Sequence, residues 1–109
     1  MTRVLHTVTF VSGSARLSLA ERLGIKKALD ALADRPTIIL DAYADPHGDE
    51  ARNLALTTAR AAAVQDYIVS LKYPPHKLLT RSRGERIFER AYLPKQAPSS
   101  RRVELLALL

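Results

Sequence analysis

Asp45, Asn53 and Arg60 are spaced so that an acid, an amide and a guanidinium can share one cleft. Asp45 ends an apolar run of strand length, TIILDAYA, which is where open α/β sheets place their ligands. The stretch DPHGDEARN then leads into an alanine-rich segment with helical patterning. Asn53 and Arg60 are seven residues apart. At about 3.6 residues per turn they differ by only about 20° around a helix axis, and Leu56, one turn before Arg60, lies near the same line. These side chains converge on the mouth between a strand end and a helix start. An acid and a guanidinium there suit a zwitterion, the carboxylate taking an ammonium and the guanidinium taking a carboxylate in a two-pronged fit. The same spacing also allows a plainer arrangement, in which Asp45 and Arg60 pair with each other and Asn53 caps the helix. Spacing leaves both open. Arg60 is expected to be partly exposed, so that its loss costs only about 0–1 kcal/mol.

Other chemistries find little support. The histidines at 6, 47 and 76 have no metal-ligand spacing, and no serine–histidine–aspartate set can be assembled. The four glycines are isolated, so no loop cradles a phosphate. Asp45 and Asp49 could be paired catalytic acids, but carboxylates in a loop before a helix are usually solvated. No enzyme, cofactor or metal is expected.

The elements that must position the cleft follow from pattern. Residues 4–11, VLHTVTFV, alternate and are rich in β-branched side chains, which predicts a strand. Ser18 and Glu21 form a capping-box pattern, so a helix should begin at Leu19 and run to about residue 33. Leu23, Ile25, Ala28, Leu29 and Leu32 are its expected buried stripe, and Lys26 can pair with Asp30. Pro36 limits its continuation. A buried central strand over 37–44 comes next. A long helix over 51–71 follows, with Ala63, Val64, Tyr67, Ile68 and Leu71 inward and Asp49 and Glu50 at its favoured acidic end. Strands over 78–82 and 102–108 flank an irregular stretch containing two prolines. The order β-α-β-α-β-β predicts an α/β (α+β) sandwich, with two helices on one face of a mixed four-stranded sheet.

The 109 residues suit one domain, 1–109, with 47% hydrophobic content. The absence of cysteine excludes disulfides and cysteine metal sites but leaves the compartment open. No apolar run approaches the roughly 18 residues of a membrane helix. The N-terminus has no signal-peptide pattern, so a role outside the cytoplasm would make this chain an excerpt or a processed form. The net charge is +6 and uneven. Residues 1–71 balance eight bases with eight acids, whereas residues 72–109 hold nine bases against three acids. That asymmetry points to an anionic partner or to a solvated basic edge. No nucleic-acid module pattern accompanies it, and nucleic acid is not an expected partner.

The spacing of these motifs resembles the OmpA-like C-terminal domain of Gram-negative envelope proteins. The family's T-D-x-x-G followed by N-x-x-L-S-x-x-R-A is met by Ala44-Asp45-Pro46-His47-Gly48 and then Asn53, Leu56, Thr57, Arg60 and Ala61. Its N-R-R-V-E is met by Ser100-Arg101-Arg102-Val103-Glu104, its early strand phenylalanine by Phe10, and its G-x-G-E turn partly by Arg83-Gly84-Glu85. The resemblance spans about residues 5–108.

The resemblance implies non-covalent binding of peptidoglycan through meso-diaminopimelate of the stem peptide, in the periplasm, with tethering to the outer or inner membrane by segments outside this chain. It places Asp45 and Arg60 on the ligand's ammonium and carboxylate, Asn53, Leu56 and Thr57 around the pocket, and Arg101 at its rim. The family's G-H-T is Ala42-Tyr43-Ala44 here, and the asparagine before the two arginines is Ser100. A helpful hydroxyl is therefore missing, and Tyr43 could crowd or line the mouth. Each loss should weaken binding by about 0.5–1.5 kcal/mol. The alternative is an OmpA-like interaction module of a secretion, conjugation or pilus apparatus, with other envelope or secretion-system proteins as partners.

Overall fold

The computed structural model describes residues 1–43, 49–84 and 101–109. In chain order the elements are β1 (Thr2–Thr9), α1 (Leu19–Asp30), β2 (Ile38–Tyr43), α2 (Glu50–Ser70), a short 3₁₀ turn (Pro75–Lys77), β3 (Leu78–Gly84) and β4 (Arg102–Leu108). The sheet order is β1-β4-β2-β3. β4 runs antiparallel to both β1 and β2, while β2 and β3 are parallel. The mixed sheet and the two helices on it agree with the sequence expectation.

Alternation sorts the strands' side chains between two faces. Ile38, Leu40 and Ala42 of β2 and Val103, Leu105 and Ala107 of β4 join the core with Ile25 of α1 and Ala61, Val64 and Ile68 of α2. The intervening residues point to the other face. There Ile39, Asp41 and Tyr43 lie opposite Leu106, Glu104 and Arg102. Asp41 is buried and accepts two parallel bonds from Arg81, at 2.6 and 2.7 Å. No helix of the described residues is long and apolar enough to cross a membrane.

Helix boundaries depart modestly from expectation. α1 begins where its capping pattern predicts, with the Ser18 hydroxyl accepting from the Glu21 N–H at 3.2 Å. It ends at Asp30 rather than near 33, because its last turn closes when the N–H groups of Ala31 and Leu32 bond to Lys27 and Leu29. Lys26 pairs with Asp30 at 2.6 Å as expected. Leu23 does not belong to the buried stripe, being 58% exposed. It stands about 200° from Ile25 around the helix. The inward line instead runs through Glu21, Gly24, Ile25, Ala28, Leu29 and Leu32, two of which are not apolar.

Those two exceptions have a common cause in His6 of β1. Its Nε2 lies 3.0 Å from Glu21 Oε1, and a Cβ on Gly24 would fall 2.6 Å from the imidazole Cε1. Gly24 therefore makes room for a ring packed directly on the helix. Glu21 also accepts the Thr9 N–H at 2.7 Å and the Thr9 hydroxyl at 2.9 Å. The N–H of an edge strand would otherwise be open to another chain. The second half of the capping box is thus diverted from the helix to the sheet edge.

Candidate functional site

The site lies at one end of the sheet, where β1 and β2 finish and β4 begins. Thr9 and Tyr43 both register against Arg102, and the Phe10 N–H donates to the Arg101 carbonyl at 3.0 Å. The first turns of α2 lie at the same end. Asp49, not Asn53, caps that helix, its carboxylate accepting the Ala51 N–H at 2.9 Å. Asn53 is therefore released from the capping role considered above. Its backbone N–H enters the helical ladder by bonding to the Asp49 carbonyl.

Along α2, Asn53 and Leu56 are half-buried, and Thr57 and Arg60 are fully buried. The Thr57 hydroxyl donates to the Asn53 carbonyl at 2.6 Å, so its side chain is spent on its own helix. Arg101 is half-buried at the start of β4. Asp45 lies outside the described residues, as do Ala44, His47, Gly48 and Ser100.

Arg60 is the principal correction to the expected site. It is 1% exposed, where a partly exposed side chain was expected. Its Nε donates to the Ser14 carbonyl at 2.8 Å and its Nη2 to the Val11 carbonyl at 3.2 Å. Its Cζ lies 5.2 Å from the centroid of the Phe10 ring, a cation–π distance. Among the described residues no carboxylate forms an ion pair with it. Burial pushes its pKa down, and the neighbouring Arg101 charge pushes the same way. A guanidinium stays protonated regardless. What results is a desolvated cation, fixed in place and next to a second cation. Such a place attracts an anion.

Tyr43 does not crowd this cation. Of Ala42 and Tyr43, Ala42 faces the helices and Tyr43 points to the other face. Its ring lies 4.2 Å from the Arg102 guanidinium carbon, and Arg102 also donates to Glu104 at 3.2 Å. Tyr43, the middle residue of the departure from G-H-T, therefore alters the opposite face more than the space around Arg60, while Ala44 lies outside the described residues.

The backbone turn at residues 11–14 is a part of the site that the sequence reading missed. Backbone carbonyls leave no residue-type signal, but a glycine between two serines just after a strand is the pattern of a tight turn. Of the histidines, His6 has Glu21 as a partner and His76 is exposed in the 3₁₀ turn. Among the described residues no cluster could hold a metal ion.

Comparison with known proteins places this geometry in context. A family model described as the OmpA family matches residues 9–102. Outer membrane protein A of Serratia odorifera is 41% identical over 49 residues, which is 45% of this chain and 20% of that protein. The chain thus aligns with about a fifth of that relative's length. The peptidoglycan-associated lipoprotein of Burkholderia pseudomallei superposes with a TM-score of 0.77 at 20% identity, covering 94% of this chain and 89% of that one. The cell wall anchor of the T6SS from Pseudomonas aeruginosa gives a TM-score of 0.64 at 18% identity, covering 92% and 74%. At such identities the structural likeness speaks for the fold.

Proposed function

The chain belongs to the OmpA family, and from that premise we propose that it binds peptidoglycan non-covalently in the periplasm by holding meso-diaminopimelate of the stem peptide. The observation that carries this reading is Arg60: a buried, immobilised cation beside Arg101, with no carboxylate of the described residues to neutralise it. A ligand carboxylate would supply the missing charge in a two-pronged geometry that a guanidinium favours. Asp45, two residues after β2 in the sequence, would take the ligand ammonium. Asn53 and Leu56 would line the pocket, with Arg101 at the rim. Thr57, already bonded to the Asn53 carbonyl, would shape the helix wall and not reach the ligand.

Relatives named for this association favour the reading, the peptidoglycan-associated lipoprotein and the cell wall anchor among them. The module would then anchor an envelope protein or machine to the cell wall, with tethering supplied by segments outside this chain. Co-sedimentation with purified sacculi tests it. The protein should pellet with diaminopimelate-containing sacculi and be released by soluble meso-diaminopimelate. If it stays in the supernatant, the reading fails and the fold serves as an interaction module for other envelope proteins.

A further inference from the structure

A guanidinium has two two-pronged edges: the side formed by Nε and Nη2, and the end formed by Nη1 and Nη2. In Arg60 the side edge is taken. Nε points to the Ser14 carbonyl and Nη2 to the Val11 carbonyl, both in the turn between β1 and α1. Phe10, immediately before that turn, stacks on the guanidinium at 5.2 Å. Among the described residues no acceptor meets Nη1. The turn closes through the Ser14 N–H bonding to the Val11 carbonyl at 3.0 Å, so that one carbonyl serves both the turn and Arg60. Its third residue, Gly13, has φ +72°, as a type II turn requires. A Cβ built on Gly13 would meet nothing within 4 Å. The glycine is therefore needed for its backbone conformation and not for space.

We propose that the turn at residues 11–14 is a positioning element of the binding site: it occupies the side edge of Arg60, so that the Nη1–Nη2 end is the one left without an acceptor among the described residues, and it depends on Gly13 to hold this shape. Because Arg60 is 1% exposed, a ligand carboxylate reaches that end by displacing what covers it. This inference rests on the peptidoglycan reading above and deepens it, because it states which edge of the arginine receives the ligand and what sets that edge. Gly13 touches no ligand and acts through Arg60. A substitution should matter according to how well the new residue tolerates positive φ, since space is equal for all. Asparagine tolerates it; a β-branched residue does not.

The experiment compares wild type, Gly13→Val and Gly13→Asn by titration with a soluble stem tripeptide ending in meso-diaminopimelate. Nitrogen-15 NMR of the Arg60 Nε–H reads the turn contact without ligand. Gly13→Val should lower affinity roughly tenfold or more and shift the Nε–H signal toward that of a solvated arginine. Gly13→Asn should keep both near wild type. If Gly13→Val does not fold, Gly13→Ala takes its place with the same expectation in milder form. Undiminished affinity in the valine or alanine variant overturns the positioning role while leaving the binding reading intact. Equal loss in the asparagine variant also overturns it. Absence of binding by wild type removes the binding reading and this inference with it, and that failure is distinguishable because it appears before any variant is compared.

Discussion

Arg60 Nε and the Ser14 carbonyl, 46 residues apart in sequence, meet at 2.8 Å. This contact ties the middle of α2 to the loop after β1, so the candidate ligand-binding cation is also a structural strut. Arg60→Ala would remove two charge-assisted bonds and a buried stem from the packing around Phe10. We expect a stability loss of about 2–4 kcal/mol, measured by urea unfolding. A loss below about 0.5 kcal/mol would return Arg60 to the status of a surface charge.

Charge alone should not serve in binding. Arg60→Lys keeps the cation but cannot bond two turn carbonyls and offer a two-pronged edge at once. Affinity for the diaminopimelate tripeptide should fall roughly tenfold or more, with far less effect on overall charge-driven adsorption to sacculi. Titration of Arg60→Lys against soluble tripeptide, beside its co-sedimentation with sacculi, separates the two effects.

Glu21 gives a pH dependence unrelated to ligand. Burial works to raise its pKa, but bonds from the Thr9 N–H, the Thr9 hydroxyl and His6 outweigh that and leave it lowered from the ordinary 4.5. A depressed carboxyl contributes its stability in full above its unfolded value and loses it as pH falls through the folded value. Stability should therefore decline below about pH 4.5. Glu21→Gln should be less stable at neutral pH and show a flatter acid limb. An unchanged acid limb in thermal melts would show that other carboxyls carry that dependence.

Gly24 tests the same cluster from the helix side. Replacing an interior helical glycine with alanine ordinarily gains about 1 kcal/mol. Here the new Cβ would meet the imidazole of His6 at 2.6 Å, so Gly24→Ala should gain little or lose stability. Adding His6→Ala should restore the helical gain, which a double-mutant cycle of melts would reveal. Simple additivity would mean that the ring moves aside at no cost.

Much of this architecture was legible in the sequence because the patterns were strongly periodic. The β2 run, the Val64–Ile68 stripe of α2 and the Ser18 cap all appear where spacing placed them. Leu23 is apolar but stands on the outward side of α1, while Glu21 and Gly24 take inward places through their partnership with His6. At the site, Asn53, Leu56 and Arg60 share one line as spacing required. Arg60's depth was not legible, because its partners are carbonyls of Val11 and Ser14, and main-chain acceptors belong to every sequence alike. Even Val11 concealed its part, since its side chain is 76% exposed while its carbonyl turns inward.

Diaminopimelate and lysine stem peptides differ only by the carboxylate that Arg60 is proposed to hold, so their comparison tests the central claim most directly. Calorimetric titration of the wild-type domain with matched tripeptides ending in meso-diaminopimelate or in lysine measures that difference. Losing the partner of a desolvated cation should cost about 1–3 kcal/mol, giving a preference for diaminopimelate of about 5- to 150-fold. Equal affinity for the two peptides, or tighter binding of lysine, would contradict the account.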